Sequence, residues 1–184
     1  MKINFISILT GKNIYYSVSA VLLMFAFVNP VQAQTYEAFV QKRVGQIRVE
    51  VNAINKDAGK YKKTTKSVEE ISLEGTEATY FHSGKDLKKI TAKMYGETYN
   101  ATAELYYKNG ELLFAFVKRN QYDTQIGMDT PPKVTGSEEQ RFYFRSDGEL
   151  IRLLVGKKEL KSGDERYTDL KDEIINISGK LKDS

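Results

Sequence analysis

Leu105-Tyr106-Tyr107-Lys108-Asn109-Gly110-Glu111-Leu112-Leu113-Phe114 is the stretch whose reading decides the fold. Asn-Gly between alternating apolar runs is a strong hairpin signal, because a two-residue turn of this type needs positive φ at both central residues. Tyr, Leu and Phe on either side suit a pleated, half-buried surface. A turn at Asn109-Gly110 pairs Tyr107 with Leu112, Leu105 with Phe114 and Ala103 with Phe116, which puts all six on one apolar face. The other face then carries Thr102, Glu104 and Tyr106 against Leu113, Ala115 and Val117. A three-residue turn with a bulge would shift the register and exchange the faces. The unshifted register gives the cleaner apolar face and is the one expected.

Two further segments repeat the pattern. Ala78 to Ile90 has aromatics, a polar turn with Gly84 and an aliphatic run; Phe142 to Ile151 does the same around Asp147-Gly148. The last turn is either Asp147-Gly148 or Ser146-Asp147-Gly148. The spacings between the turn glycines differ, whereas a solenoid would keep one period. Three consecutive hairpins, about six strands, are therefore expected between residues 68 and 155. Val68, Ile71 and Leu73 either add a leading strand or extend the first hairpin.

Helical periodicity flanks the hairpins. Val40, Val44, Ile47, Val51 and Ile54 form one stripe, and Tyr167, Leu170, Ile174, Ile177 and Leu181 form another. They predict helices over residues 36–57 and 164–181, and core packing explains both stripes. A sheet with one apolar face needs a cover, so the expected fold is α+β: an antiparallel sheet with the N-terminal and C-terminal helices packed on one face.

The tandem hairpins Tyr106-Tyr107-Lys108-Asn109-Gly110-Glu111-Leu112 and Tyr143-Phe144 through Gly148-Glu149-Leu150 carry a resemblance. Residues 68–155, following a leader and a helix, look like uncharacterised secreted or periplasmic bacterial proteins with Tyr-rich Asn/Asp-Gly hairpins. The resemblance implies no activity and transfers no functional residue.

Residues 1–33 read as a cleaved signal peptide. Lys2 and Lys12 are their only charges, Ala20 to Val28 is an unbroken apolar run, and Pro30 precedes Val31-Gln32-Ala33, with small residues placed for cleavage. A transmembrane span needs about 20 apolar residues, more than this run supplies before its proline. Residues 34–184 then form a single domain, periplasmic or extracellular, with no membrane anchor after processing. Without the two leader lysines the net charge is +2 instead of +4, too balanced for a nucleic-acid binder.

Composition excludes several chemistries. The chain of 184 residues has no Cys and one His, so it can form no disulfide, no cysteine nucleophile, no lipidated Cys and no two-His zinc site. It has no nucleophile elbow, P-loop, dinucleotide fingerprint or His-Glu-x-x-His. No cofactor and no metal are expected. His82 reads as a turn residue, lacking the positioned partner that a general base needs. Asp147-Gly148-Glu149 lacks the preceding ligands of a calcium loop and reads as turn chemistry. Glu69-Glu70 and Glu138-Glu139 offer carboxylates for glycoside chemistry, which needs a pair at set spacing across a cleft.

Two features remain. The basic run Lys56, Lys60, Lys62, Lys63 and Lys66 reads as a solvated linker between helix and sheet, the other reading being contact with an anionic envelope surface. Residues 119–137, with Gly127, Pro131, Pro132 and Gly136, read as a long loop, either a binding loop or a plain excursion. The expected function is a non-enzymatic, inhibitor- or immunity-like binding protein of the bacterial envelope. It would recognise a protein partner through an open sheet face carrying Tyr106, Arg141, Tyr143 and Arg152, with Tyr122 and Met128 from the loop, since Tyr and Arg are enriched at binding hot spots. The alternative is a carboxylate hydrolase acting on a cell-wall or dietary glycan.

Overall fold

A computed structural model describes residues 30–127 and 131–184, with side chains from residue 35 onward. The expected signal peptide up to residue 29, and Met128, lie outside the described residues. The chain divides into two units, Met1–Phe39 and Val40–Ser184, and the contacts below belong to the second. The elements are α1 (Pro30–Asp57), a short 3-10 turn (Ala58–Lys60), β1 (Lys62–Val68), β2 (Thr76–Ser83), β3 (Asp86–Gly96), β4 (Tyr99–Lys108), β5 (Glu111–Tyr122), β6 (Val134–Phe144), β7 (Leu150–Val155), β8 (Lys158–Leu160) and α2 (Glu165–Asp183).

The fold is α+β, with one sheet of eight antiparallel strands in the order β1 to β8. The two strands beyond the expected six are its edges. β1 forms from the basic run that reads as a linker, and β8 is three residues long. Neither shows apolar alternation, because an edge strand faces water on more sides than a central one. The third hairpin uses the three-residue turn: Arg145 N–H donates to Glu149 O at 2.8 Å and Gly148 N–H to Arg145 O at 3.0 Å.

The helices lie on opposite faces, not together as expected. Phe142 and Phe144 belong to the cluster that takes Leu170, Ile174 and Leu181 of α2, whereas Tyr143 between them packs with Val40, Val44 and Ile47 of α1. Adjacent residues of a strand point to opposite faces, so α1 and α2 sandwich the sheet. Each fully buried Leu or Ile contributes about 1.5–3 kcal/mol of hydrophobic stabilisation.

A bulge interrupts each long hairpin, and those in the β4–β5 and β6–β7 hairpins accompany a second apolar patch on the α1 side. The β4–β5 turn has positive φ at Asn109 (53°) and Gly110 (83°), and Tyr107 pairs with Leu112 as expected. Leu113 is then left without a partner, and pairing resumes as Tyr106 with Phe114, Leu105 with Ala115 and Ala103 with Val117. The expected pairs of Leu105 with Phe114 and Ala103 with Phe116 are thereby overturned. The extra residue lets Leu113 and Phe114 serve the α1 side while Leu112 and Ala115 serve the α2 side. Similar shifts fall between Phe81 and His82, and between Tyr143 and Phe144.

Both ends of residues 119–137 are strand. β5 continues to Tyr122 and β6 starts at Val134, so the connection is only residues 123–133. Its start is tied back to the β3–β4 turn: Tyr122 N–H donates to Thr98 O and Ile126 N–H to Glu97 O, both at 2.8 Å.

Candidate binding surface

The pairing lines up one residue per strand on the α1 face: Lys63, Phe81, Lys89, Tyr106, Phe114, Tyr143 and Arg152 are successive partners from β1 to β7. Cations sit over rings along this row. Lys63 Nζ is 5.3 Å from the Phe81 centroid, and Lys89 Nζ is 4.7 Å from that of Tyr106. Phe114 bridges Tyr106 and Tyr143, with centroid separations of 5.8 and 4.9 Å.

Helix α1 covers much of this row. Arg48 lies 5.9 Å from the Tyr143 centroid, and Asn55 Oδ1 accepts from Lys89 Nζ at 2.9 Å and from Tyr106 Oη at 3.0 Å. Lys89 Nζ also donates to Glu104 Oε2 at 2.6 Å, and the single Tyr106 proton is shared between that oxygen and Asn55 Oδ1. Burial raises the Tyr106 hydroxyl's pKa well above its ordinary value, and the neighbouring Glu104 carboxylate adds to that. Burial also pushes Glu104 upward, but hydrogen bonds from Lys89 and Tyr106, with the ammonium charge, outweigh it and hold the carboxyl below its ordinary value. This is a satisfied polar joint between helix and sheet, and a fully partnered network of this kind rigidifies what it connects.

The expected binding residues therefore separate. Tyr106, Tyr143 and Arg152 do share one face, but they are buried, with relative exposures of 2%, 3% and 7%. They form no open surface, because α1 occupies that end of the sheet. Arg152 Nε lies 3.3 Å from Glu159 Oε1. Arg141 stands one row further from the hairpin turns, paired with Phe116 and Leu154 and partly exposed. Its guanidinium is 5.3 Å from the Phe116 centroid and donates to Glu139 Oε2 at 2.5 Å. Tyr122 is partly exposed at the end of β5, opposite Val134.

Beyond α1 the same face continues as polar rows. Thr65, Thr79 and Thr91 are successive partners, with the first two hydroxyls 2.8 Å apart. The next row has Glu77, Lys93, Thr102, Lys118 and Glu139, of which Glu77, Lys93, Thr102 and Lys118 are exposed. Lys89, Glu104 and Asn55 were not singled out in sequence, because nothing local marks the bulge between Phe81 and His82 beyond which Lys89 pairs with Phe81 and Tyr106.

At the far end of the sheet, Glu74, Tyr95, Glu97, Gln125 and Ile126 line a hollow of about 470 Å³. Gln125 donates to Glu97 Oε2 at 3.0 Å. His82 is half-buried at the end of β2, opposite Leu87. Among the described residues, no group of three His, Cys, Asp or Glu is placed to hold a metal ion, and no helix is long and apolar enough to cross a membrane. No family model matches this chain, and no curated protein or solved structure matches it either.

Proposed function

We propose that this is an exported, non-catalytic binding protein of the bacterial envelope that holds a protein partner on the uncovered half of the α1 sheet face. The observation that carries the reading is Arg141 stacked on Phe116, partly exposed beside rows of Thr, Lys and Glu. An aromatic-backed guanidinium within a polar rim has the composition of a binding hot spot. Lys93 and Lys118 are flanked in their row by Glu77 and Glu139, so the surface suits a protein of mixed charge better than a polyanion. An inhibitor- or immunity-like role needs no more than such a surface. Export rests on residues 1–33, and the intact mass of protein recovered from the envelope is expected to lack them.

Affinity capture from envelope extract tests the surface. Arg141→Ala with Thr102→Arg should lose a partner that the unaltered protein captures, while the thermal midpoint stays nearly unchanged. Retention of the partner would sink this reading. The rival carboxylate hydrolase draws support from the hollow that places Glu74 and Glu97 on one lining. Release of reducing ends from cell-wall or dietary glycan, abolished by Glu97→Gln, would favour it.

A further inference from the structure

We propose that the outer edge of β1 is a strand-addition site for an extended acidic segment of a partner protein. This goes beyond the reading of the sheet face and uses a different surface, so either can fail alone.

β1 stands at one end of the strand order with β2 as its neighbour. It pairs with β2 over seven consecutive residues, Lys62–Val68, without a register shift. Everything in it before Val68 is exposed. At about 3.3 Å per residue this edge runs some 20 Å with backbone donors and acceptors facing outward.

Proteins usually blunt such an edge by keeping it short, bulging it or inserting proline. β8, at the other end of the sheet, is short, with three residues. β1 is neither short nor bulged, and its sequence KKTTKSV contains no proline or glycine. Among the described residues its protection is charge, and charge discriminates. Two β1 edges brought together would oppose lysine to lysine, whereas an acidic strand would meet cations at the same positions.

The lysines are arranged for that. Lys62 and Lys66 share one side of the strand and Lys63 takes the other. Lys66 Nζ lies 4.7 Å from the Tyr80 centroid, and Lys63 Nζ lies 5.3 Å from that of Phe81. Lys60 is already held by Asp57 at 2.6 Å, and Lys66 also bonds the Ser184 carbonyl. Among the described residues, Lys62 and Lys63 stand in no ion pair. They are the cations an incoming carboxylate would meet first. Thr64 and Thr65 between the lysines favour extended backbone. Main-chain hydrogen bonds would supply affinity and the lysines selectivity, the division of labour usual in strand addition.

The test uses a short fluorescent peptide alternating Glu and Val, its Lys-Val counterpart, and a Glu-Val peptide N-methylated at alternate residues. Vesicles containing anionic phospholipid are run alongside. The Glu-Val peptide should bind the purified protein and slow hydrogen exchange of alternate β1 amides. Lys62→Glu with Lys63→Glu should weaken it by about tenfold or more and admit the Lys-Val peptide. If that pair fails to fold, Lys62→Gln with Lys63→Gln should weaken the Glu-Val peptide in the same direction without admitting the Lys-Val peptide. N-methylation should abolish binding, since it removes the strand hydrogen bonds and keeps the charges. Undiminished binding of the methylated peptide would reduce the site to non-specific electrostatics and overturn the proposal. So would absence of Glu-Val binding, whether or not the vesicles bind.

Discussion

Tyr106 and Phe114 face each other across β4 and β5, their ring centroids 5.8 Å apart, because Leu113 stands without a partner beside them. The turn alone would have opposed Leu105 to Phe114. One inserted residue shifts the pairing, turns Phe114 to the α1 side and brings it within 4.9 Å of Tyr143. The row of aromatics under α1 depends on that insertion.

Two changes at Leu113 separate its packing from its role in the register. Leu113→Ala should cost about 2–5 kcal/mol, as for a buried leucine in a core, and leave the register intact. Deleting Leu113 should remove the same packing and the bulge with it, leaving Tyr107 with Leu112 and Tyr106 with Phe114 as successive pairs of an unbroken ladder, so the register survives at a similar cost. Urea unfolding of both variants checks this. A deletion far less stable than the alanine variant would show that the bulge itself, beyond the leucine's packing, holds the hairpin together.

The joint between α1 and the sheet should be measurable atom by atom. Tyr106→Phe keeps the ring contacts and removes the hydroxyl that touches Lys89, Glu104 and Asn55. A loss of about 1–2 kcal/mol is expected. A double-mutant cycle of Lys89→Met with Glu104→Gln should give a coupling of about 1–3 kcal/mol, and a coupling near zero would mean the two groups act independently.

Two glycines should respond with opposite signs. A Cβ at Gly45, inside α1, meets nothing within 4 Å, so Gly45→Ala should stabilise by up to about 1 kcal/mol. A Cβ at Gly96 would stand 2.2 Å from Cε1 of Tyr99, whose ring lies against the glycine. Gly96→Ala should destabilise by about 1–3 kcal/mol as that ring is displaced. Thermal melts of the two variants side by side decide it.

Acid should destabilise the fold through its depressed carboxyls. Hydrogen bonding from Arg145, then from the Glu149 N–H, lowers Asp147 from 3.8 to about 2. Arg166 holds Glu138 below its ordinary value, and Glu104 is depressed as described above. A carboxyl whose folded value is lowered contributes fully above its unfolded value and loses that contribution as pH falls through the folded one. For Asp147 the window runs from 3.8 down to about 2. The midpoint should fall across it, less steeply in Asp147→Asn. An identical slope in that variant would remove Asp147 as a contributor.

Much of this protein was legible in the chain itself. The stripes Val40-Val44-Ile47 and Leu170-Ile174-Leu181 repeat with the helical period, and their residues are the buried ones. The turns at Gly84, Asn109-Gly110 and Gly148 were visible because positive φ leaves a mark on residue choice. These are local properties, set by neighbours within a few positions. Whether Tyr143 and Arg152 shared the face of Tyr106 stayed open in the sequence, because either turn of the third hairpin was compatible with it.

What tertiary structure decided was non-local. A bulge has little local signature, so the side to which Phe114 turns depended on which partners were available across β4 and β6. The two apolar faces this produced let α1 and α2 pack on opposite sides, and α1 then buried the residues expected to be open. Edge strands β1 and β8 pair on one side and lack apolar alternation, so only their partners β2 and β7 reveal them as strands. The uncovered surface, from Thr65 to Arg141, is whatever part of the sheet a helix of that length and position does not reach.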